Sequence, residues 1–189
     1  MFTISRELKE FLEPSRRLWL VLWFAMTFSM VIYVLVAFLV SRQHSPADLS
    51  SGLLTAFGGI AAVATLASLL IPRFLPSDDR LRSELNSDFD PESLARNPQT
   101  GSVNQDRLQK IALVAPYEQK FMVLPFLYFT PFILRLVINE AVAIFGLVLS
   151  ILSHSLAPML PFIAVAIILN LAAFPRLDPM IERASRLVR

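Results

Sequence analysis

Residues 18 to 40, LWLVLWFAMTFSMVIYVLVAFLV, are 23 consecutive positions without a charged side chain. Coiled into a helix they rise about 35 Å, enough to cross a hydrocarbon core of roughly 30 Å. A helix apolar on every face has no wet side to offer a water-soluble domain. A membrane span is therefore the expectation, with Trp19 and Trp23 suited to the interfacial belt at its start. The rest of the chain agrees, being 55% apolar and only 17% charged.

Three further apolar segments follow. Residues 53 to 71 form a second span whose Gly58, Ala61, Thr65 and Ser68 share one face, small enough for close helix packing. Residues 121 to 152 are too many for one untilted span. Thr130 and Pro131 suit an N-cap and first helical position, so the third span is expected from Pro131, with residues 121–130 interfacial or kinked. A fourth, LAPMLPFIAVAIILNLAAF, is ended by Pro175 and Arg176. The reading is all-α: four transmembrane helices in two hairpins, residues 18–72 and 121–175, joined by a polar segment over 73–120.

Amphipathic surface helices are expected at both ends. Ile4, Leu8, Phe11 and Leu12 mark one within residues 1–17, broken by Pro14. Leu177, Ile181, Ala184 and Val188 mark another within 176–189, interleaved with Arg183, Arg186 and Arg189. In the 48-residue polar segment, Asp90-Pro91-Glu92 reads as a helix start and Asn104 to Ala115 as a short helix, with much of 76–106 loop-like. Its only glycine is Gly101, so no phosphate-cradling loop is present, and Asp88, Asp90 and Glu92 lack the turn glycine of a calcium loop.

Seventeen basic residues against fifteen acidic ones are too even to suggest nucleic acid, and the absence of cysteine excludes disulfides and thiol chemistry. The bases flank the apolar runs, which places both termini and the long loop in the cytoplasm, in a bacterial inner membrane. No cofactor is expected. The partners are the bilayer and further copies of the chain or other subunits.

Glu140 is the outlying residue. It lies nine positions beyond Pro131, about 14 Å along the helix and close to mid-bilayer. An ionisable group at that depth costs about 2.5–3.5 kcal/mol on insertion scales, which makes it a functional-site hypothesis by default. A low dielectric favours the neutral acid, ready to exchange a proton when water or a cation approaches. Glu140 and its neighbour Asn139 are the candidate ion-binding residues. Ala143, Gly146 and Ser150 continue from Asn139 as a small or polar stripe, expected to pack on the small face of the second span. Arg135 is shallow enough to snorkel, with Asn170 as its expected partner. Ser29 and Tyr33 read as packing, and His44 and His154 as surface residues.

Glu140-Ala141-Val142-Ala143-Ile144-Phe145-Gly146-Leu147-Val148 resembles the carboxylate helix of the proteolipid c subunits of rotary ATP synthases, where an acid precedes a similar A-L-x-I-Y-G-L-V run. Gly58, Gly59, Ala61, Ala62 and Ala64 are similar to that family's small-residue helix, and Arg96-Asn97-Pro98 to its polar-loop tripeptide. The resemblance implies that Glu140 binds a transported proton or sodium ion. It covers nine residues closely; the loop is longer than the family's, and two further spans flank the hairpin. The expected function is thus an oligomeric membrane component binding a proton or monovalent cation. The alternative is a non-catalytic scaffold or assembly protein docking a partner on Arg73 to Lys120. No enzymatic reaction is expected, because Glu140 has no second catalytic group at its depth.

Overall fold

A computed structural model describes residues 5–43, 45–74, 76–87, 89–96 and 100–187. These are mostly helical, with no strand among the described residues: α1 (Arg6–Gln43), α2 (Ser51–Phe74), α3 (Asp78–Asn86), α4 (Pro91–Ala95), α5 (Gln105–Ala112), α6 (Pro116–Gln119), a 3-10 turn (Lys120–Val123), α7 (Leu124–Ser153), α8 (Met159–Ala172) and α9 (Leu177–Leu187). Among the described residues three helices are long and apolar enough to cross a membrane, or four if the bent pair α8 and α9 counts as one span. Alone, α8 has 14 residues, about 21 Å of helix.

The chain divides into two compact units. The first gathers Met1–Trp19, Pro76–Thr130 and Arg176–Arg189, the second Leu20–Leu75 and Pro131–Pro175.

Two prolines depart from expectation: Pro14 does not break its helix, and Pro131 does not begin the third span. Pro14 lies inside α1 and Pro131 inside α7. A proline removes one main-chain hydrogen bond, and in α1 the turns on either side keep their own ties, Arg6 to Glu10 at 2.7 Å and Arg17 to Glu13 at 3.2 Å. Residues 121–130 accordingly belong to the 3-10 turn and the first turns of α7.

In the first unit, Leu8, Leu12 and Trp19 form the buried stripe of α1, so Trp19 is core rather than belt. Ile4 and Val188, expected on the amphipathic faces, lie outside the described residues. The stretch expected to be loop-like contains α3, capped by Ser77, whose hydroxyl accepts from the Arg80 N–H at 3.3 Å, and anchored by buried Leu81 and Leu85. The expected caps of α4 and α5 are present: Asp90 accepts from the Glu92 N–H and Asn104 from the Arg107 N–H, each at 3.0 Å. α9 packs on α3, with the Arg183 guanidinium donating to Asp78 at 2.6 Å and to the Pro76 carbonyl at 3.2 Å. Partial burial pulls the Arg183 pKa down; the interactions with Asp78 and Tyr128 together outweigh it and leave it raised.

Glu118 is fully buried in the same unit. It accepts from the Ser5 N–H at 3.0 Å and from the Ser5 hydroxyl. Ser5 in turn caps α1, its oxygen 3.2 Å from the Leu8 N–H.

In the second unit α7 ends on a left-handed residue, His154 at φ 51°. The Ser155 N–H reaches the Ser150 carbonyl at 3.2 Å and the His154 N–H the Ile151 carbonyl at 3.4 Å, the two bonds of a Schellman close. Glycine is the usual residue there because a Cβ disfavours that conformation. His154→Gly is expected to raise stability by about 1 kcal/mol, seen as a higher melting temperature in detergent.

Candidate functional site

Glu140 lies on α7, half-buried within the second unit. Facing it, α1 presents Ser29 and Tyr33, four residues apart and so on one helical face. The Tyr33 hydroxyl donates to Glu140 Oε1 at 2.5 Å. Ser29 Oγ lies 2.9 Å from the same oxygen and 2.7 Å from the main-chain oxygen of Met26.

Counting hydrogens gives this arrangement its chemistry. A serine hydroxyl has one hydrogen to donate and lone pairs to accept with. If Glu140 is ionised, Ser29 and Tyr33 both donate to it, and Met26 keeps only its helix partner. If Glu140 is protonated, its O–H donates to Ser29 Oγ, Ser29 donates to the Met26 carbonyl, and Tyr33 still donates to Glu140. The same heavy-atom positions accommodate both forms, which differ by one proton.

Asn139 is turned away from this site. Consecutive helical residues point about 100° apart, and Asn139 directs both ends of its amide to other helices. Its Oδ1 accepts from Ser68 Oγ of α2 at 2.5 Å, and its Nδ2 donates to Asn170 Oδ1 of α8 at 2.9 Å. Asn170 donates onward to Met30 Sδ of α1 at 3.8 Å, while the Trp23 indole N–H donates to the Asn170 carbonyl at 2.7 Å. Ser68, Asn139 and Asn170 are completely buried, so this chain of polar groups ties α1, α2, α7 and α8 together. Trp23, expected in the interfacial belt, is thereby engaged by α8, and its ring meets Phe174 edge-on at 5.1 Å.

Asn170 therefore serves Asn139, not Arg135 as its depth suggested. Arg135 Nε is enclosed and has no hydrogen-bond partner among the described residues. Arg135 lies one turn before Asn139 on the same face of α7.

The small residues divide between neighbours. Ala61 of α2 and Ala143 of α7 join one buried cluster with Met30, Ala37, Val142 and Ala166. Gly146 meets α8: a Cβ built there would lie 2.7 Å from the Phe162 Cβ and 3.2 Å from the Met159 carbonyl oxygen. Ser150 closes the α7–α8 turn, donating to the Ser155 carbonyl at 2.7 Å. Gly58 has nothing within 4 Å of its Cβ position, and Thr65 is half-buried. The stripe on α7 thus meets α8 at Gly146 and α2 at Ser68, with Phe57 against Phe145 edge-on at 5.6 Å.

Ser29 and Tyr33 are the residues that sequence reasoning took for packing. Their signal was two hydroxyls at i and i+4 in an otherwise apolar helix. Asn97, Pro98, His44 and Asp88 lie outside the described residues; Arg96 pairs its main chain with Val103 beside α4 and α5. No protein-family model matches the chain, no curated protein matches it in sequence, and no solved structure matches its fold.

Proposed function

We propose that this chain is a multi-pass membrane component that takes up and releases a proton at Glu140, with a monovalent cation as the alternative load. In this reading α8 is the fourth span, the termini and residues 73–120 face the cytoplasm of a bacterial cell, and the chain works as an oligomer. One observation carries the proposal: the Glu140 carboxyl shares Oε1 with Ser29 and Tyr33 in a geometry that serves both its neutral and its ionised form. A group that changes by one proton without reorganising its neighbours is suited to exchange. Asn139 is not part of this proposal, because its amide is already satisfied at both ends.

A second reading has its own support. The buried chain Ser68–Asn139–Asn170–Met30 is a helix clasp, and Glu140 with Ser29 and Tyr33 would extend that clasp in a non-catalytic scaffold that docks a partner on residues 73–120.

Labelling the protein in lipid with a hydrophobic carbodiimide separates the two. Exchange predicts selective modification of Glu140, suppressed by alkali, with sodium protecting only if sodium is the load. Glu140→Gln should abolish labelling and ion flux while the assembly survives. A Glu140 that never reacts, together with unchanged flux in Glu140→Gln, supports the scaffold and removes the proton site.

A further inference from the structure

Within the first unit, α1 and α5 enclose a groove of about 440 Å³. It is of ligand size, and its charges are balanced. Arg107 and Lys110 of α5 lie on one side of its chemistry, Glu10 of α1 and Asp106 of α5 on the other, with Phe11 and Pro14 as an apolar wall. The Arg107 guanidinium is held 5.7 Å above the Phe11 ring, which fixes one cation over that wall. Among the described residues Glu10 is tied to exposed Arg6, an i,i+4 pair that solvent screens and that exchanges readily.

The run of 23 uncharged residues begins at Leu18, one turn beyond Pro14, and Leu18 itself is 51% exposed. On the reading of that run as a span, the groove lies at headgroup level. Two cations beside two carboxylates do not suit a ligand with only negative charge. They suit one that carries a phosphate and an ammonium together.

We propose that this groove binds the headgroup of a zwitterionic phospholipid bearing a primary amine, phosphatidylethanolamine in type. Arg107 and Lys110 take the phosphate oxygens. Asp106 and Glu10 accept from the ammonium, whose three N–H donors a quaternary ammonium lacks.

The test is native mass spectrometry of the full chain in mild detergent, offered phosphatidylethanolamine, phosphatidylcholine, phosphatidylglycerol or soluble glycerophosphoethanolamine. Phosphatidylethanolamine should be retained about tenfold better than either other lipid, the difference expected from a charge-assisted hydrogen bond. Glu10→Gln with Asp106→Asn should erase that preference, whereas Arg107→Gln with Lys110→Gln should lower retention of all three lipids, which share the phosphate. Glu10, Asp106 and Lys110 are exposed and Arg107 half-buried, so the buried stripe of α1 is untouched, and the wild-type comparison decides the matter even where a variant fails to fold. Equal retention of the three lipids, a preference for phosphatidylglycerol, or undiminished binding by either double variant would overturn the proposal. Soluble glycerophosphoethanolamine binding as tightly as the lipid would overturn its assignment to the membrane.

Discussion

Glu118→Ala is expected to destabilise the first unit by about 2–4 kcal/mol, since hydrogen bonds to a buried charged group are worth about 1.5–3 kcal/mol and the deletion leaves a cavity. The carboxylate accepts from both the main-chain N–H and the hydroxyl of Ser5, and Ser5 caps α1 at Leu8. In a local capping box, a glutamate three residues into the helix accepts from the N-cap N–H. Here position 8 is leucine, and Glu118 performs that role from 113 residues away. Removing it strands two half-buried donors at the start of α1. Glu118→Gln should be milder, because its amide can accept from the Ser5 N–H and donate to the Ser5 hydroxyl, losing only the charge-assisted strength of the bonds. Thermal unfolding in detergent measures the loss, and hydrogen exchange locates it: the Leu8 amide should lose protection in Glu118→Ala and Ser5→Ala alike. A double variant no worse than Glu118→Ala alone would confirm that the residues act as one device.

Gly146→Ala is expected to cost about 1–3 kcal/mol, the range for forcing extra volume into a packed interior. The obstruction is the Phe162 Cβ, at 2.7 Å from the new methyl, and the Met159 carbonyl behind it. A Cβ and a main-chain oxygen cannot swing aside as a side-chain tip can, so α8 itself must retreat. Gly58→Ala, on a helix richer in small residues, meets nothing within 4 Å and should cost nothing, since alanine is favoured over glycine inside a helix by about 0.5–1 kcal/mol. Melting temperatures of the two variants test the contrast directly. Equal losses would mean that the α7–α8 contact is not the constraint.

The contrast also marks what a sequence can convey. Spacing shows that glycine and alanine share a face, and Gly58 and Gly146 look alike on that basis; which face a neighbour covers depends on the third dimension. The all-helical character was legible because the uncharged run from Leu18 leaves few alternatives, and the caps at Asp90 and Asn104 were legible because their bonds are local. The pairing of Ser5 with Glu118 was not, nor the gathering of three separated segments into one unit, because neither leaves a periodic trace. Pro14 and Pro131 misled because a proline forfeits one hydrogen bond, which a long helix with intact neighbouring turns tolerates. At the candidate site Glu140 stood out by its charge alone. Ser29 and Tyr33 did not, since hydroxyls in an apolar helix often bond their own main chain, as Ser29 also does with Met26.

The central claim is that Glu140 exchanges a proton where it sits between Ser29 and Tyr33, and infrared spectroscopy of the full chain in lipid reads it most directly. The difference between wild type and Glu140→Gln should contain the carbonyl band of a protonated carboxylic acid. That band should shift in heavy water and give way reversibly to a carboxylate band as the pH is raised. No such band in the difference spectrum, or one indifferent to heavy water and alkali, would contradict the claim.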